Sequence, residues 1–243
     1  MWSGPRNIST ALMRAFENRC DTIVWDEPLY AHYLARTGLD HPGSKEIITS
    51  GETDWRVVAS KCASALQGRE RVFYQKHMSH HIHADMELDW VTGLTCCFLI
   101  RHPHSVVASY TKTRTDPRLM DLGFVQQLRL FEHVCATSSI APPVISAEDV
   151  LKDPPDMLQQ LCDVIGIAYD ENMLSWPAGP RSTDGVWAKH WYDQVIHSTG
   201  FKPWAPPRVK LTQTQRSLAD ACMPYYHALL KHRIKPTTIR DQS

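Results

Sequence analysis

Residues 95–109 read TCCFLIRHPHSVVAS, and this stretch decides the fold class. Thr95 to Ile100 is a short apolar run and the clearest buried strand in the chain. The run ends at Arg101-His102-Pro103, and a helix is expected from His104 to about Thr113. A buried strand that leads directly into a helix is typical of an α/β fold with a mainly parallel sheet.

Short apolar runs alternate with helical patterns over the rest of the chain, which we interpret as a single domain spanning residues 1–243. Further strands are expected at Thr22–Trp25, Arg71–Gln75 and Pro143–Ser146. Helices are expected at Ser9–Arg19, Asp54–Leu66, Phe124–Thr137, Asp156–Ile165 and Thr212–Lys231, the last kinked at Pro224. No regular structure is predicted between residues 175 and 208, which are rich in Trp, Pro and Gly.

The composition is that of a globular protein with a sizeable core, because 43% of the 243 residues are hydrophobic. Lys plus Arg and Asp plus Glu each number 26, so no overall basic field attracts nucleic acid. No stretch approaches the roughly 18 apolar residues of a membrane-spanning helix. Seven cysteines without a C-x-x-C pair favour a reducing, cytoplasmic compartment. Adjacent Cys96 and Cys97 are expected to point to opposite faces of their strand.

The segment SGPRNISTAL at residues 3–12 is a candidate anion site. It places a Gly-Pro turn, the cation Arg6 and the hydroxyls of Ser9 and Thr10 ahead of an amphipathic helix, whose first N–H groups favour an anion. The Walker A pattern is absent. The alternative is an ordinary helix capped by a serine. Only three residues precede Gly4, so we expect either a very short first strand or a natural start further upstream.

The second candidate anion site follows the strand quoted above. Arg101 emerges at the carboxyl end of this strand, the edge where open α/β sheets bind ligands. Ser109 lies two helical turns further along, so that an arginine and a hydroxyl suit a phosphate monoester. The alternative is a surface arginine with a capping serine.

These two segments, in this order, resemble the P-loop sulfotransferases, which use 3′-phosphoadenosine 5′-phosphosulfate, and in particular their bacterial-type members. Residues 145–154, ISAEDVLKDP, strengthen the match because they are similar to a strand and an Asp-Pro turn of that family. The resemblance covers roughly residues 1 to 175. It implies a P-loop NTPase-like three-layer sandwich, with a mainly parallel central sheet flanked by helices and an apparently truncated first strand.

The resemblance also implies which residues bind the donor. The 5′-phosphosulfate loop would consist of Arg6, Asn7, Ile8, Ser9, Thr10 and Ala11, and Arg101 and Ser109 would hold the 3′-phosphate. Lys189, in a late loop, is a further candidate for this phosphate. Arg6 replaces the usual lysine of the loop, and Ile8 offers only its backbone N–H.

Catalysis in this family requires a base and a cation near the leaving group, and the sequence offers both. Glu27, after the second strand, is the first candidate for the base, while Asp26 is expected to face the opposite way. The alternative role for Glu27 is to cap a helix at residues 29–36. Lys76 is assigned to the bridging oxygen or the sulfonate, with Arg6 assisting, and His77 is the rival base.

The resemblance leaves the acceptor open: a small molecule, glycan or lipid bearing a hydroxyl or amine, with 3′,5′-adenosine bisphosphate as the other product and no metal required. His77, His80, His81 and His83 could hold Zn²⁺ or Ni²⁺, although crowded histidines more often line a polar loop. Trp187 and Trp191 could stack on adenine, line the acceptor pocket or pack a loop. The alternative functions are an ATP-dependent kinase, another P-loop nucleotide enzyme, or a non-catalytic binding scaffold.

Overall fold

A parallel five-stranded sheet lies at the centre of the molecule, in a computed structural model that describes residues 1–64, 66, 70–206 and 210–237. The strands are β1 Trp2–Ser3, β2 Thr22–Asp26, β3 Val72–Met78, β4 Phe98–Ile100 and β5 Val144–Ser146. Their spatial order is β2-β3-β1-β4-β5, and every neighbouring pair is parallel. The predicted α/β fold with a mainly parallel sheet is therefore confirmed.

Strand β1 has only two residues, yet it occupies the middle of the sheet. Trp2 is opposite His77 of β3 on one side and Phe98 of β4 on the other. The short first strand expected from the sequence is present, and it delivers the following loop to the centre of the carboxyl edge.

Helices cover both faces of the sheet. They are α1 Ser9–Glu17, α2 Tyr30–Thr37, α3 Ser44–Ser50, α4 Trp55–Cys62, α5 Pro103–Tyr110, α6 Phe124–Thr137, α7 Ala147–Lys152, α8 Pro154–Ile165, α9 Ala188–Trp191, α10 Asp193–Ile196 and α11 Gln213–Leu230. Short 3₁₀ turns lie at Ser79–His81, Asp89–Gly93, Leu119–Leu122 and Glu171–Leu174.

Two expectations about regular structure differ from what is observed. Helix α4 ends at Cys62 rather than continuing to Leu66, and residue 65 of that prediction lies outside the described residues. Helix α11 continues through Pro224, where the expected kink stays a prediction. The segment 175–208 contains the one-turn helices α9 and α10, and its residues 207 and 208 lie outside the described part of the chain.

Two hydrophobic clusters lie on opposite faces of the sheet because side chains alternate along each strand. Cys97 and Leu99 of the β4 segment pack with α1, α2 and α8, whereas Cys96 and Phe98 pack with α5, α6 and α11. The expected opposite orientation of Cys96 and Cys97 is confirmed. All seven cysteines are free thiols, and no helix in the described ranges has the length and apolar character needed to cross a membrane.

Candidate functional site

The loop between β1 and α1 has a backbone conformation that few residue types can adopt. At Gly4 a Cβ atom would lie only 2.7 Å from the carbonyl oxygen of Leu122, so a larger residue would clash with backbone. Arg6 and Ile8 have φ angles of 65° and 59°, in the left-handed region that non-glycine residues rarely adopt. The loop therefore holds an unusual twist directly before helix α1.

Helix α1 begins without a side-chain cap. The residue preceding it is Ile8, whose side chain cannot accept a hydrogen bond, whereas Asp54, Asp153 and Thr212 cap helices α4, α8 and α11. The alternative of a serine-capped helix is therefore wrong for this segment. Predicted loop residues Ser9, Thr10 and Ala11 form the first turn of the helix, where N–H groups lack intrahelical partners.

The two predicted anion segments meet in space. The guanidinium Nε of Arg6 donates a hydrogen bond to Ser109 Oγ at 3.0 Å. The Arg101 guanidinium donates to the carbonyl oxygen of Arg6 at 2.6 Å, across 95 residues of sequence. We call Arg6, Arg101 and Ser109 the guanidinium corner.

Neither arginine of the guanidinium corner forms an ion pair with a carboxylate of the described residues. Within the described ranges, arginine ion pairs are formed by Arg14, Arg19, Arg36 and Arg233 only. Burial lowers the pKa of Arg6, and the neighbouring positive charge of Arg101 lowers it further. Burial also lowers the pKa of Arg101, and the negative charge of Glu148 opposes this effect. Two adjacent half-buried cations without an ion-pair partner are stabilised by a bound anion.

Buried polar contacts hold the loop against strand β4. The Asn7 amide donates to the carbonyl oxygen of Leu99 at 3.2 Å, and Gln127 of α6 donates to the same oxygen at 2.9 Å. Asn7 is buried, so its side chain supports the loop from within. The Glu148 carboxylate accepts from the His102 backbone N–H at 3.0 Å and thereby fixes the start of α5.

A second polar group lies where β2 and β3 end. The Lys76 ammonium donates to Asp26 Oδ1 at 2.9 Å, to Glu27 Oε1 at 2.5 Å and to the Tyr192 hydroxyl at 2.7 Å. We call Asp26, Glu27, Lys76 and Tyr192 the lysine–carboxylate cluster. Because all the strands are parallel, this cluster and the guanidinium corner lie at the same edge of the sheet.

Asp26 and Glu27 both contact Lys76, so the expectation that they face opposite ways is wrong. Asp26 ends strand β2, but Glu27 has a φ of 40° and has left the extended conformation. Strand alternation therefore does not apply to it. The alternative in which Glu27 caps α2 is also not seen, because Leu29 precedes that helix and no side chain caps it.

The electrostatics of the cluster follow from its burial. Burial raises the pKa of Glu27 and the adjacent Asp26 adds to the rise, while Lys76 opposes it. Burial alone would lower the pKa of Lys76, but the two carboxylates outweigh this effect and raise it. Glu27 is therefore a carboxylate with increased proton affinity beside a lysine that stays charged.

The remaining predicted residues lie elsewhere. His77 points to the face opposite Lys76: its ring stacks on Trp2 at 4.2 Å, and its Nε2 lies 3.1 Å from Gln75 Oε1. Burial lowers the pKa of His77 far below its usual range. Lys189 forms an exposed ion pair with Glu46 at 2.5 Å. In the part of the chain that the structure describes, neither residue has a hydrogen bond or ion pair to the guanidinium corner.

The histidines after β3 form an aromatic cluster. The His81 ring lies between Tyr30 and Tyr33, with ring centroids 4.9 and 4.7 Å away. Within the described ranges, neither of its nitrogens has a hydrogen-bond partner. Burial lowers the pKa of His81 far below its usual range. Among the described residues, no three His, Cys, Asp or Glu side chains are placed to hold a metal ion.

Sequence reasoning missed Tyr192. Its hydroxyl lies 2.8 and 2.7 Å from the two oxygens of Asp26 and accepts from Trp187 Nε1 at 3.1 Å. Asp26 is 166 residues away in sequence, and Tyr192 falls in a segment without periodicity. The only available signal was the density of aromatic residues in that segment.

Comparison with known proteins identifies the relatives of this chain. A family model described as "Sulfotransferase domain" matches residues 1–234. Two curated Arabidopsis thaliana proteins, branched-chain-amino-acid aminotransferase-like proteins 1 and 2, are 34% and 32% identical to it over 95% of the chain. The chain spans 41% of the length of each, so it matches less than half of either protein.

A solved structure shares the fold. The sulfotransferase domain of the Synechococcus PCC 7002 olefin synthase superposes with a TM-score of 0.53 at 14% sequence identity. The match covers 90% of this chain and 92% of that domain. At this identity the similarity concerns the fold.

Proposed function

This chain belongs to the sulfotransferase domain family, and from that membership we propose that it transfers a sulfuryl group from 3′-phosphoadenosine 5′-phosphosulfate to an acceptor hydroxyl or amine. The guanidinium corner carries the proposal. Its two half-buried arginines form no ion pair with any described carboxylate, and they lie next to helix α1, which no side chain caps. They are therefore suited to a ligand with anionic groups at two places.

The residues of the corner fit the donor. Arg101 and Ser109 would hold the 3′-phosphate, since an arginine and a hydroxyl offer donors to its oxygens. The twisted loop at residues 6–11 and the first turn of α1 would hold the 5′-phosphosulfate through backbone N–H groups and the Arg6 side chain. Lys189 would reach the same nucleotide only after leaving Glu46, and it stays a weaker candidate.

The lysine–carboxylate cluster would carry the chemistry. When bound, the donor supplies an activated sulfonate together with a phosphate leaving group. Glu27 would accept the proton of the acceptor hydroxyl, because its buried carboxylate has increased proton affinity. Lys76 would place a positive charge where the leaving group gains negative charge. His77 is the less suitable base because its ring packs on Trp2, on the other face of the sheet.

The acceptor belongs to a broad class of small molecules, glycans and lipids that carry a hydroxyl or an amine. The aromatic rings of Tyr30 and Trp187 adjoin the cluster, with their centroids 5.1 Å apart, and would pack against an acceptor. We place the reaction in the cytoplasm, a proposal supported by the free state of all seven cysteines.

Ligand-dependent thermal unfolding tests the proposed function without knowledge of the acceptor. At 100 times its Kd, 3′,5′-adenosine bisphosphate should stabilise the protein by about 2.7 kcal/mol, which raises the Tm of a chain of this size by roughly 5–10 °C. ATP with Mg²⁺ serves as the comparison ligand. Stabilisation by ATP–Mg²⁺ alone would indicate a kinase-like enzyme, and no effect of either ligand would indicate a scaffold; both results contradict the proposal.

A further inference from the structure

The hydroxyl of Tyr192 joins the lysine–carboxylate cluster from a distant part of the chain. It is 2.7 Å from Asp26 Oδ2, and it accepts from Lys76 Nζ at 2.7 Å and from Trp187 Nε1 at 3.1 Å. A phenol has one proton to donate and two lone pairs to accept with. Tyr192, only 4% exposed, therefore uses its full hydrogen-bonding capacity inside the protein.

The two carboxylates of the cluster have unequal sets of donors. Asp26 receives hydrogen bonds from Lys76, from Tyr192 and, at 3.3 Å, from the Gly185 backbone N–H. Glu27 has Lys76 at 2.5 Å, and the Tyr192 hydroxyl is 3.4 Å away from it. Because the hydroxyl has a single proton and lies closer to Asp26, it donates its one hydrogen bond to Asp26.

Lys76 provides one positive charge for two buried carboxylates. Its three N–H groups point to Asp26, Glu27 and Tyr192, so its donors are all in use. A negative charge close to Glu27 discourages Glu27 from giving up its proton. A hydrogen-bond donor that compensates the negative charge of Asp26 therefore also makes it easier for Glu27 to give up its proton.

We infer that Tyr192 is a positioning residue that acts on Glu27 through Asp26 and Lys76. By donating a hydrogen bond to Asp26, it keeps Lys76 shared between the two carboxylates and keeps Glu27 available as a proton acceptor. The inference rests on the proposed function in so far as Glu27 is the base.

The surroundings of Glu27 agree with this role. The titratable groups that face it are Asp26 from β2, Lys76 from β3, Tyr30 from α2 and Tyr192 from the segment between α9 and α10. Burial already raises the pKa of Glu27, the negative charge of Asp26 adds to the rise, and the positive charge of Lys76 limits it. Loss of this hydroxyl leaves the negative charge of Asp26 less compensated.

The variant Tyr192→Phe tests the inference, with titration of Glu27 followed by ¹³C NMR of carboxyl-labelled glutamate. The Glu27 resonance is assigned by its loss in Glu27→Gln. We expect its titration to move to higher pH in Tyr192→Phe, and the acidic limb of the pH–kcat profile to move with it. At neutral pH kcat should fall by about 10-fold to 100-fold, while the Kd for 3′,5′-adenosine bisphosphate stays nearly unchanged.

Tyr74→Phe is the matched control. Tyr74 lies on β3 two residues before Lys76 and is buried, and its hydroxyl has no hydrogen-bond partner among the described residues. Its replacement should leave the Glu27 titration where it is in the wild type. A merely structural role for Tyr192 would lower the Tm without moving that titration.

Asp26→Asn provides a second test with the opposite sign, should Tyr192→Phe fail to fold. It removes the negative charge next to Glu27, so the Glu27 titration should move to lower pH. An unchanged Glu27 titration in folded Tyr192→Phe, or a move to higher pH in Asp26→Asn, overturns the inference. If Glu27 responds as expected but 3′,5′-adenosine bisphosphate does not bind, the proposed function fails while the link between Tyr192 and Glu27 stands.

Discussion

The guanidinium corner and the lysine–carboxylate cluster lie at the same edge of one sheet, but they differ in how their charges are balanced. In the corner, Arg6 and Arg101 lie side by side, and neither forms an ion pair with a carboxylate in the part of the chain that the structure describes. In the cluster, the buried Lys76 is held by two carboxylates and a phenol. A cation without an internal partner suits an external anion, whereas a cation with partners organises the protein itself. Removal of a positive charge should therefore lower the stability of the protein in the cluster, but lower the affinity for the ligand in the corner.

The largest expected effect concerns the base in the cluster. Glu27→Gln should lower kcat by about 10²-fold to 10⁴-fold, because the amide cannot accept the acceptor's proton. The Kd for 3′,5′-adenosine bisphosphate, measured by calorimetry, should hardly change, since the corner is intact. His77→Ala is the comparison: if it abolishes turnover while Glu27→Gln does not, the assignment of the base is reversed.

The second-largest expected effect is a loss of stability when the cation of the lysine–carboxylate cluster is removed. Lys76→Met leaves two buried carboxylates without a counterion and should cost about 3–5 kcal/mol of unfolding free energy. Urea denaturation measures the loss. Lys45→Met, which changes an exposed lysine of α3, should cost little. Similar losses in both variants would contradict the idea that the cluster organises the protein.

The matching change in the corner should affect binding instead. Arg101→Ala should weaken the binding of 3′,5′-adenosine bisphosphate by more than about 10-fold, because a lost hydrogen bond to a charged group costs about 1.5–3 kcal/mol. Stability in urea should stay near that of the wild type, since repulsion with Arg6 is relieved. Arg71→Ala alters an exposed arginine at the amino end of β3 and should leave the affinity unchanged. An equal affinity in Arg101→Ala would remove this arginine from the site.

The smallest effect is a pH dependence of stability. Glu27 has a raised pKa in the folded protein, so the folded state binds its proton more tightly than the unfolded state. This contribution to stability is complete below the ordinary carboxyl range and is lost as the pH rises through the raised pKa. The Tm of Glu27→Gln relative to the wild type should therefore increase as the pH rises above the ordinary carboxyl range. Glu87→Gln, at an exposed position, should show no such trend.

The contrast between the two regions also marks how far sequence reasoning reached. Arg101 and Arg6 could be placed at the carboxyl edge because each follows a strand closely, and the order of the two segments is a family pattern. Their contact follows from the parallel neighbours β1 and β4. The fold was predictable for the same reason, since the apolar run at residues 95–100 reports burial on both faces.

The composition of the cluster could not be predicted in the same way. The orientation of Glu27 depends on a φ of 40° that no residue pattern indicates, and alternation along the strand wrongly predicted that Glu27 and Asp26 face opposite ways. Tyr192 reaches Asp26 across 166 residues through a segment without periodicity. Such contacts are decided by tertiary packing, which a single sequence does not encode locally. The roles of all the predicted site residues, Lys189 and His77 included, stay predictions.

The left-handed backbone at Arg6 and Ile8 bears on how relatives of this protein can be found. Under the proposed function, backbone N–H groups of this loop would bind the ligand together with the Arg6 side chain, so the amino acid at position 8 can change without loss of these contacts. A search with a fixed sequence motif would then miss related proteins that keep the same backbone conformation. Replacement of single amide links by esters, rather than an alanine scan, is the appropriate probe of such a loop.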